Sequence, residues 1–153
     1  MRGLIIALLP FLLLVGCERE KHRLDEEVRR LCAKDGGVKV YETVNLPPDK
    51  FDRYGNVKIP DIEKAKESDK YYYVSEMVYL YGGKTSQDYE ARIWRNHYKI
   101  IRRSDNKVLG EYVSYTRRGD GFQTPWHPSS FSCSDISKYP EFEKAIFLKE
   151  NDK

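Results

Sequence analysis

The chain has 153 residues, 40% of them hydrophobic and 33% charged, with a net charge of +3 and three cysteines. That length fits one compact domain with a tail and excludes a multidomain machine. Twelve of the first sixteen residues are hydrophobic and only Arg2 among them is charged, so the remainder is a polar body with a modest core. Nineteen of the twenty aromatics lie in that body, which excludes disorder, and its small net charge excludes a general nucleic-acid binder.

Residues 1–16 combine a positive start at Met1-Arg2, an apolar run from Leu4 to Val15 broken by Pro10, and the small Gly16 at a processing point. That is the plan of a secretory signal, too short and too weakly flanked for a spanning helix. The residues Leu14-Val15-Gly16-Cys17 resemble the lipobox of bacterial lipoprotein precursors. The resemblance implies that diacylglycerol is attached to the Cys17 thiol as a thioether, that the chain is cut before Cys17, and that the new amine is acylated. Two or three acyl chains anchor a protein stably, since each buried methylene contributes about 0.8 kcal/mol. In Gram-negative members Asp after the cysteine favours inner-membrane retention; Glu18 stands there, which points to the periplasmic face of the outer membrane. Residues 17–23 are then a lipidated tether, and 24–153 a single periplasmic domain.

Lipidation leaves two cysteines, Cys32 and Cys133, in a compartment where disulfides persist. A pair is the economical reading, closing a loop of about 100 residues, for which chain entropy alone gives about 4.7 kcal/mol. The alternative makes Cys133, six residues from His127, a nucleophile or metal ligand.

The body opens on a helix. Leu24, Val28, Leu31 and Cys32 form one apolar stripe, with Asp25/Arg29 and Glu26/Arg30 spaced as outer-face pairs, and Asp35-Gly36-Gly37 ends it. Val38, Val40 and Val44 alternate as a half-buried strand stopped by Pro47-Pro48. Residues 49–70 read as a long polar loop with a helical turn near Ile62 to Lys66. Tyr71 to Tyr81 is the strongest strand signal, followed by strands from about Tyr89 to Arg103 and from Val108 to Arg117, joined by the turn Ser104-Asp105-Asn106-Lys107. The adjacent Ile100-Ile101 breaks strict alternation and predicts a bulge or two-sided burial. Residues 125–133 read as irregular. Pro140 opens a short helix with Phe142, Ala145, Ile146 and Lys149 on one side. The expected fold is α+β: an N-terminal helix, an antiparallel sheet of about four strands, a short C-terminal helix and one disulfide.

Chemistry is sparse. His22, His97 and His127 are not at ligand spacing, so no metal site is predicted, and no cofactor motif, nucleophile elbow or phosphate loop is present. His127, near Ser129 and Ser130, is the candidate general base if the protein is a periplasmic hydrolase. Charge distribution is more informative. From Arg92 to Arg118 eight cations face two anions, a local +6 against −4 for the rest of the mature chain. Arg92, Arg95, Arg102, Arg103, Arg117 and Arg118 on adjacent strands form a candidate anion-binding patch for a lipid headgroup, an anionic glycan or an acidic protein face; charged residues guarding a solvated strand edge would leave the same pattern. The tyrosine row is core material and strand former in one reading, and a surface for stacking sugars or gripping a protein in another.

Residues 31–44 (Leu31 to Val44), together with Ile100-Ile101-Arg102-Arg103-Ser104-Asp105 and Trp126-His127-Pro128-Ser129-Ser130-Phe131-Ser132-Cys133, resemble segments of small proteobacterial lipoproteins of unassigned function, some carried on prophages. The resemblance implies no catalytic residue; Cys32 lies in the first recurring stretch and Cys133 at the end of the second, which a structural disulfide explains. The expectation is a non-enzymatic, membrane-anchored envelope lipoprotein binding through its basic hairpin, with a prophage-type superinfection-exclusion factor or a hydrolase using His127 as alternatives. Replacing Cys17→Ala should abolish incorporation of labelled fatty acid in growing cells; normal labelling of the variant would refute lipidation at this residue.

Overall fold

The computed structural model describes residues 2–82, 91–119 and 130–150, with side chains described from residue 19 onward. Helix α1 runs Arg2–Asp35, so the stretch read as a tether is helical and continuous with the apolar run before it. Among the described residues no helix is long and apolar enough to cross a membrane. The stripe expected of α1 is the one it buries, with Leu24, Val28 and Cys32 all within the core. Its outer-face pairs fall one residue closer than the spacing suggested, Glu20–Arg23, Glu26–Arg29 and Glu27–Arg30. Asp25 is thereby released for a longer-range partner. The helix stops where expected. Gly36 donates its amide to Cys32 O, and Gly37 turns at φ +112°. A Cβ at Gly36 would lie 3.2 Å from the Cys133 sulfur and closer still to Cys32 backbone, so only glycine lets the chain pass there.

The sheet is built on a long hairpin. Strands β3 (Tyr71–Tyr81), β4 (Arg92–Arg102) and β5 (Lys107–Arg118) pair antiparallel, with the tight turn after β4 carrying Asn106 at φ 54°. Ile100 faces Gly110 but Ile101 faces Val108, so the predicted irregularity is a bulge with Leu109 as the extra residue. The outer edge of β5 is shared. β1 (Gly37–Val40) pairs with residues 110–113 and β6 (Ser130–Ser132) with residues 116–118, completing five strands in the order β1-β5-β4-β3 with β6 beside β1. β6 lies in the segment read as irregular, where an exposed strand end on β5 accepts it.

Two local readings are corrected by tertiary pairing. The strand through Val38, Val40 and Val44 is two strands. After β1 the amides of Tyr41 and Glu42 both donate to Leu109 O, which bends the chain off the sheet into β2 (Val44–Leu46). The last helix is shorter than expected: α3 (Phe142–Ile146) gives way to β7 (Phe147–Lys149), which pairs parallel with β2 and takes Lys149 off the helix face. Buried Phe147 and the Glu150 amide on Leu46 O fix that change. Between β6 and α3 lies the four-residue helix α2 (Cys133–Ile136), opened by Ser132 and Asp135 as a capping box.

The sheet carries a core on each face. Leu24, Val28 and Cys32 of α1 pack on Ile93, Val113, Tyr115 and Cys133. On the other face Phe142, Ile146 and Phe147 pack on Ile100 and Leu109, roofed by Phe51, Val57 and Ile59 of the loop before β3. Cys32 and Cys133 lie at disulfide distance, with Cα atoms 5.5 Å and sulfurs 1.98 Å apart. Beneath α1, Arg117 is fully buried, pairs with Asp25 at 2.5 Å and donates to Gly119 O at 2.7 Å. Breaking a buried pair from one side strands the other charge. Asp25→Ala should therefore lower stability in urea by about 3 kcal/mol, and adding Arg117→Met should recover most of it; equal losses in both variants would show that the pair is not the determinant.

Candidate functional site

Residues directly opposite on neighbouring strands share a face of the sheet. The register therefore sets Tyr73 of β3, Tyr98 of β4 and Tyr112 of β5 on the α3 side, near Ile100 and Gly110. Tyr98 and Tyr112 stack with centroids 6.0 Å apart and an interplanar angle of 14°, while Tyr112 also meets Tyr139 at 6.2 Å and Phe142 at 6.1 Å. These rings line an open cleft of about 960 Å³ between the sheet, the α2–α3 connection and the loop before β3. Ligand clefts of this kind are aromatic with a few placed polar groups. Here the polar groups are Asp61, Glu141 and Glu143, a single Lys138, and the hydroxyls of Ser75, Ser134 and Ser137. Lys144 pairs with Glu141 at 2.7 Å. Tyr73 donates its hydroxyl to Glu143; burial, and then that carboxylate, push the phenol well above its ordinary range, so it remains a donor.

The cations singled out in the sequence do not form one exposed patch. Arg117 is inside the core, so it is not available to an external anion. Arg95 meets Asp35 at 3.6 Å. Arg102 pairs with Glu42 and, at 2.7 Å, with Asp105, while Lys107 reaches Glu42 at 2.5 Å. Arg103 donates to Asp69 O at 2.9 Å and lies over the Tyr72 ring. Carboxylates from α1, the β1–β2 bend and the hairpin turn thus offset the local excess of positive charge. Arg92 and Arg118 face each other at one end of the sheet, where Arg118 is exposed.

On the α1 side a separate polar cluster centres on Glu111. It accepts from Tyr41 at 2.6 Å and from Lys39 at 3.4 Å, and meets His97 Nε2 at 2.8 Å. The Tyr41 hydroxyl, then His97 and Lys39, hold its carboxyl down to about 2 against the opposing effect of burial. The Glu111 carboxylate on Nε2 orients the His97 imidazole. His127, Ser129 and Trp126 lie outside the described residues. Among the described residues no group of three His, Cys, Asp or Glu side chains is placed to hold a metal ion.

Sequence reasoning noticed the tyrosines but not the cleft. Tyr73 came from the parity of one strand, yet Tyr98, Tyr112 and Tyr139 come from three other segments, and only the register aligns them. A carboxyl held below its ordinary value of 4.5 stabilises the fold above that value and loses the contribution as pH falls toward about 2. Glu111→Gln should therefore lower stability at neutral pH and flatten the decline between about pH 5 and 2; a parallel acid limb in variant and parent would remove Glu111 from the pH response. In comparisons with known proteins, no family model, no curated protein and no solved structure matches this chain.

Proposed function

We propose that this chain is a membrane-anchored envelope lipoprotein with a non-enzymatic binding role, and that its cleft receives a cationic, extended segment of another envelope protein. The lipobox at Leu14 to Cys17 supports the anchor. The observation that carries the binding role is the lining of the cleft. Tyr73, Tyr98, Tyr112 and Tyr139 line it beside three carboxylates and one lysine, a sign of charge that rejects anionic glycans and lipids and favours Lys or Arg side chains. A cation over an aromatic face gains about 0.5–2 kcal/mol, more as water is excluded. The cations of the hairpin serve the domain from within, by fastening its strands to α1 and to the β1–β2 bend.

The test uses a photo-crosslinking residue at Tyr98 in intact cells, with one at Ser104 in the distant hairpin turn as control. Position 98 should capture a discrete protein partner that position 104 does not. A Lys/Arg-rich peptide should bind the purified domain, a Glu/Asp-rich peptide of equal length should not, and Tyr112→Ala should weaken binding about tenfold, with a thermal melt confirming the fold. Equal crosslinking at both positions, or preference for the acidic peptide, would refute this assignment.

A further inference from the structure

β3 is an edge strand, and its first half is covered: the Tyr73 amide donates to Pro60 O and the Ile62 amide to Tyr73 O, both at 2.8 Å. Nothing among the described residues pairs with the outer edge of its second half, and that half exposes apolar side chains. Met77, Val78, Leu80 and Tyr81 are 52%, 40%, 48% and 42% exposed. Leu80 is the extra residue of a bulge, since Tyr79 faces Trp94 and Tyr81 faces Ile93. A bulge re-aims a side chain at a strand edge. A long apolar edge in water recruits other chains, and stable proteins cover or charge it. Among the described residues the second half of this edge is uncovered and carries one charge, Glu76.

The start of the mature chain lies beside this edge. Glu20 accepts from the Tyr81 hydroxyl at 3.3 Å and the Arg23 guanidinium lies 5.8 Å over the Tyr81 ring. Glu20 follows Cys17 by three residues of continuous helix, about 4.5 Å of rise. At the same end of the sheet Arg118 is exposed, and the Arg23 guanidinium, paired with Glu20 at 2.6 Å, is exposed as well. The ring pair Tyr79–Trp94 adds the residue types that settle at membrane–water interfaces.

We propose that the corner formed by Met77, Val78, Leu80 and Tyr81 with Arg23 and Arg118 docks on an anionic phospholipid surface. The inference rests on the lipid-anchor reading for its geometry, because an acyl chain on Cys17 delivers this corner to the bilayer first. Apolar side chains enter the headgroup region while the open strand edge stays hydrated there, and the cations meet lipid phosphates. The ring of Tyr98 lies roughly 17 Å along the strands from Tyr81, while Ser75 at the rim of the cleft is two residues from Met77, so the cleft opens beside the docked edge.

The experiment places an environment-sensitive fluorophore at Leu80→Cys or, as control, at Ser104→Cys, in acylated protein on vesicles of phosphatidylethanolamine and phosphatidylglycerol. The label at 80 should shift to the blue and the label at 104 should not. In an unacylated chain that starts at position 17 with Ser in place of Cys, and so lacks the apolar run of residues 4–15, the label at 80 should still shift at high vesicle concentration, and Met77→Asp with Leu80→Asp should lower the partition coefficient about tenfold. Parent protein that fails to float with vesicles refutes the anchor alone, because the unacylated chain still reports on the corner. A label at 80 that stays in water in both forms, or a dimer in solution through β3 that hides it without vesicles, overturns the docking surface.

Discussion

Cys133 is the point at which the molecule is tied together. Its sulfur lies at bonding distance from Cys32 on α1, accepts the Tyr115 amide of β5 at 3.2 Å, and belongs to the residue that begins α2 directly after β6. One fully buried atom therefore fixes the helix to the centre of the sheet and sets where the chain after β6 departs. The passage of Gly36 against the same sulfur shows how closely the backbone is drawn in. A polar domain of this size has little apolar area with which to hold a helix across a sheet, and a long-range crosslink lowers the entropy of the unfolded chain by more than any single contact here.

From that constraint the rest of the architecture follows. With α1 tied over one face of the sheet, the opposite face is left to α3, β7 and the loop before β3, so the domain has two small cores instead of one large one. Among the described residues neither core covers its whole face. The strip beside Phe142 stays open as the aromatic cleft, and the second half of β3 projects beyond the cover of the loop. Both candidate interaction surfaces are therefore consequences of incomplete coverage, in a fold too small to roof strands of eleven and twelve residues on both sides.

Charge follows the same logic. Arg117 is buried because Ile93 and Tyr115 place it under α1, and it is tolerated there because Asp25 meets it. Glu42 holds Arg102 and Lys107 just where the chain bends from β1 to β2, so an ion pair also fastens the corner that separates the two sheets. The excess of cations along two strands is thus met in part by carboxylates from other segments, with Arg117 the one buried inside.

The sequence by itself determined the local elements: the stripe of Leu24, Val28 and Cys32, the hairpin around Asn106, the bulge at Ile100-Ile101, and the two cysteines available to each other. Each is written in side chains a few residues apart, or in a count, and period and turn chemistry act at that range. Tertiary structure alone decided the splitting of the valine strand, the conversion of Phe147 to Lys149 into β7, the company of Tyr98, Tyr112 and Tyr139, and which arginines are inside. Those outcomes depend on strand register and on partners seventy or more residues away, such as Glu111 for Tyr41 and Asp25 for Arg117. A one-residue change of register would put every one of those side chains on the other face, and no local pattern records which register the two cores select.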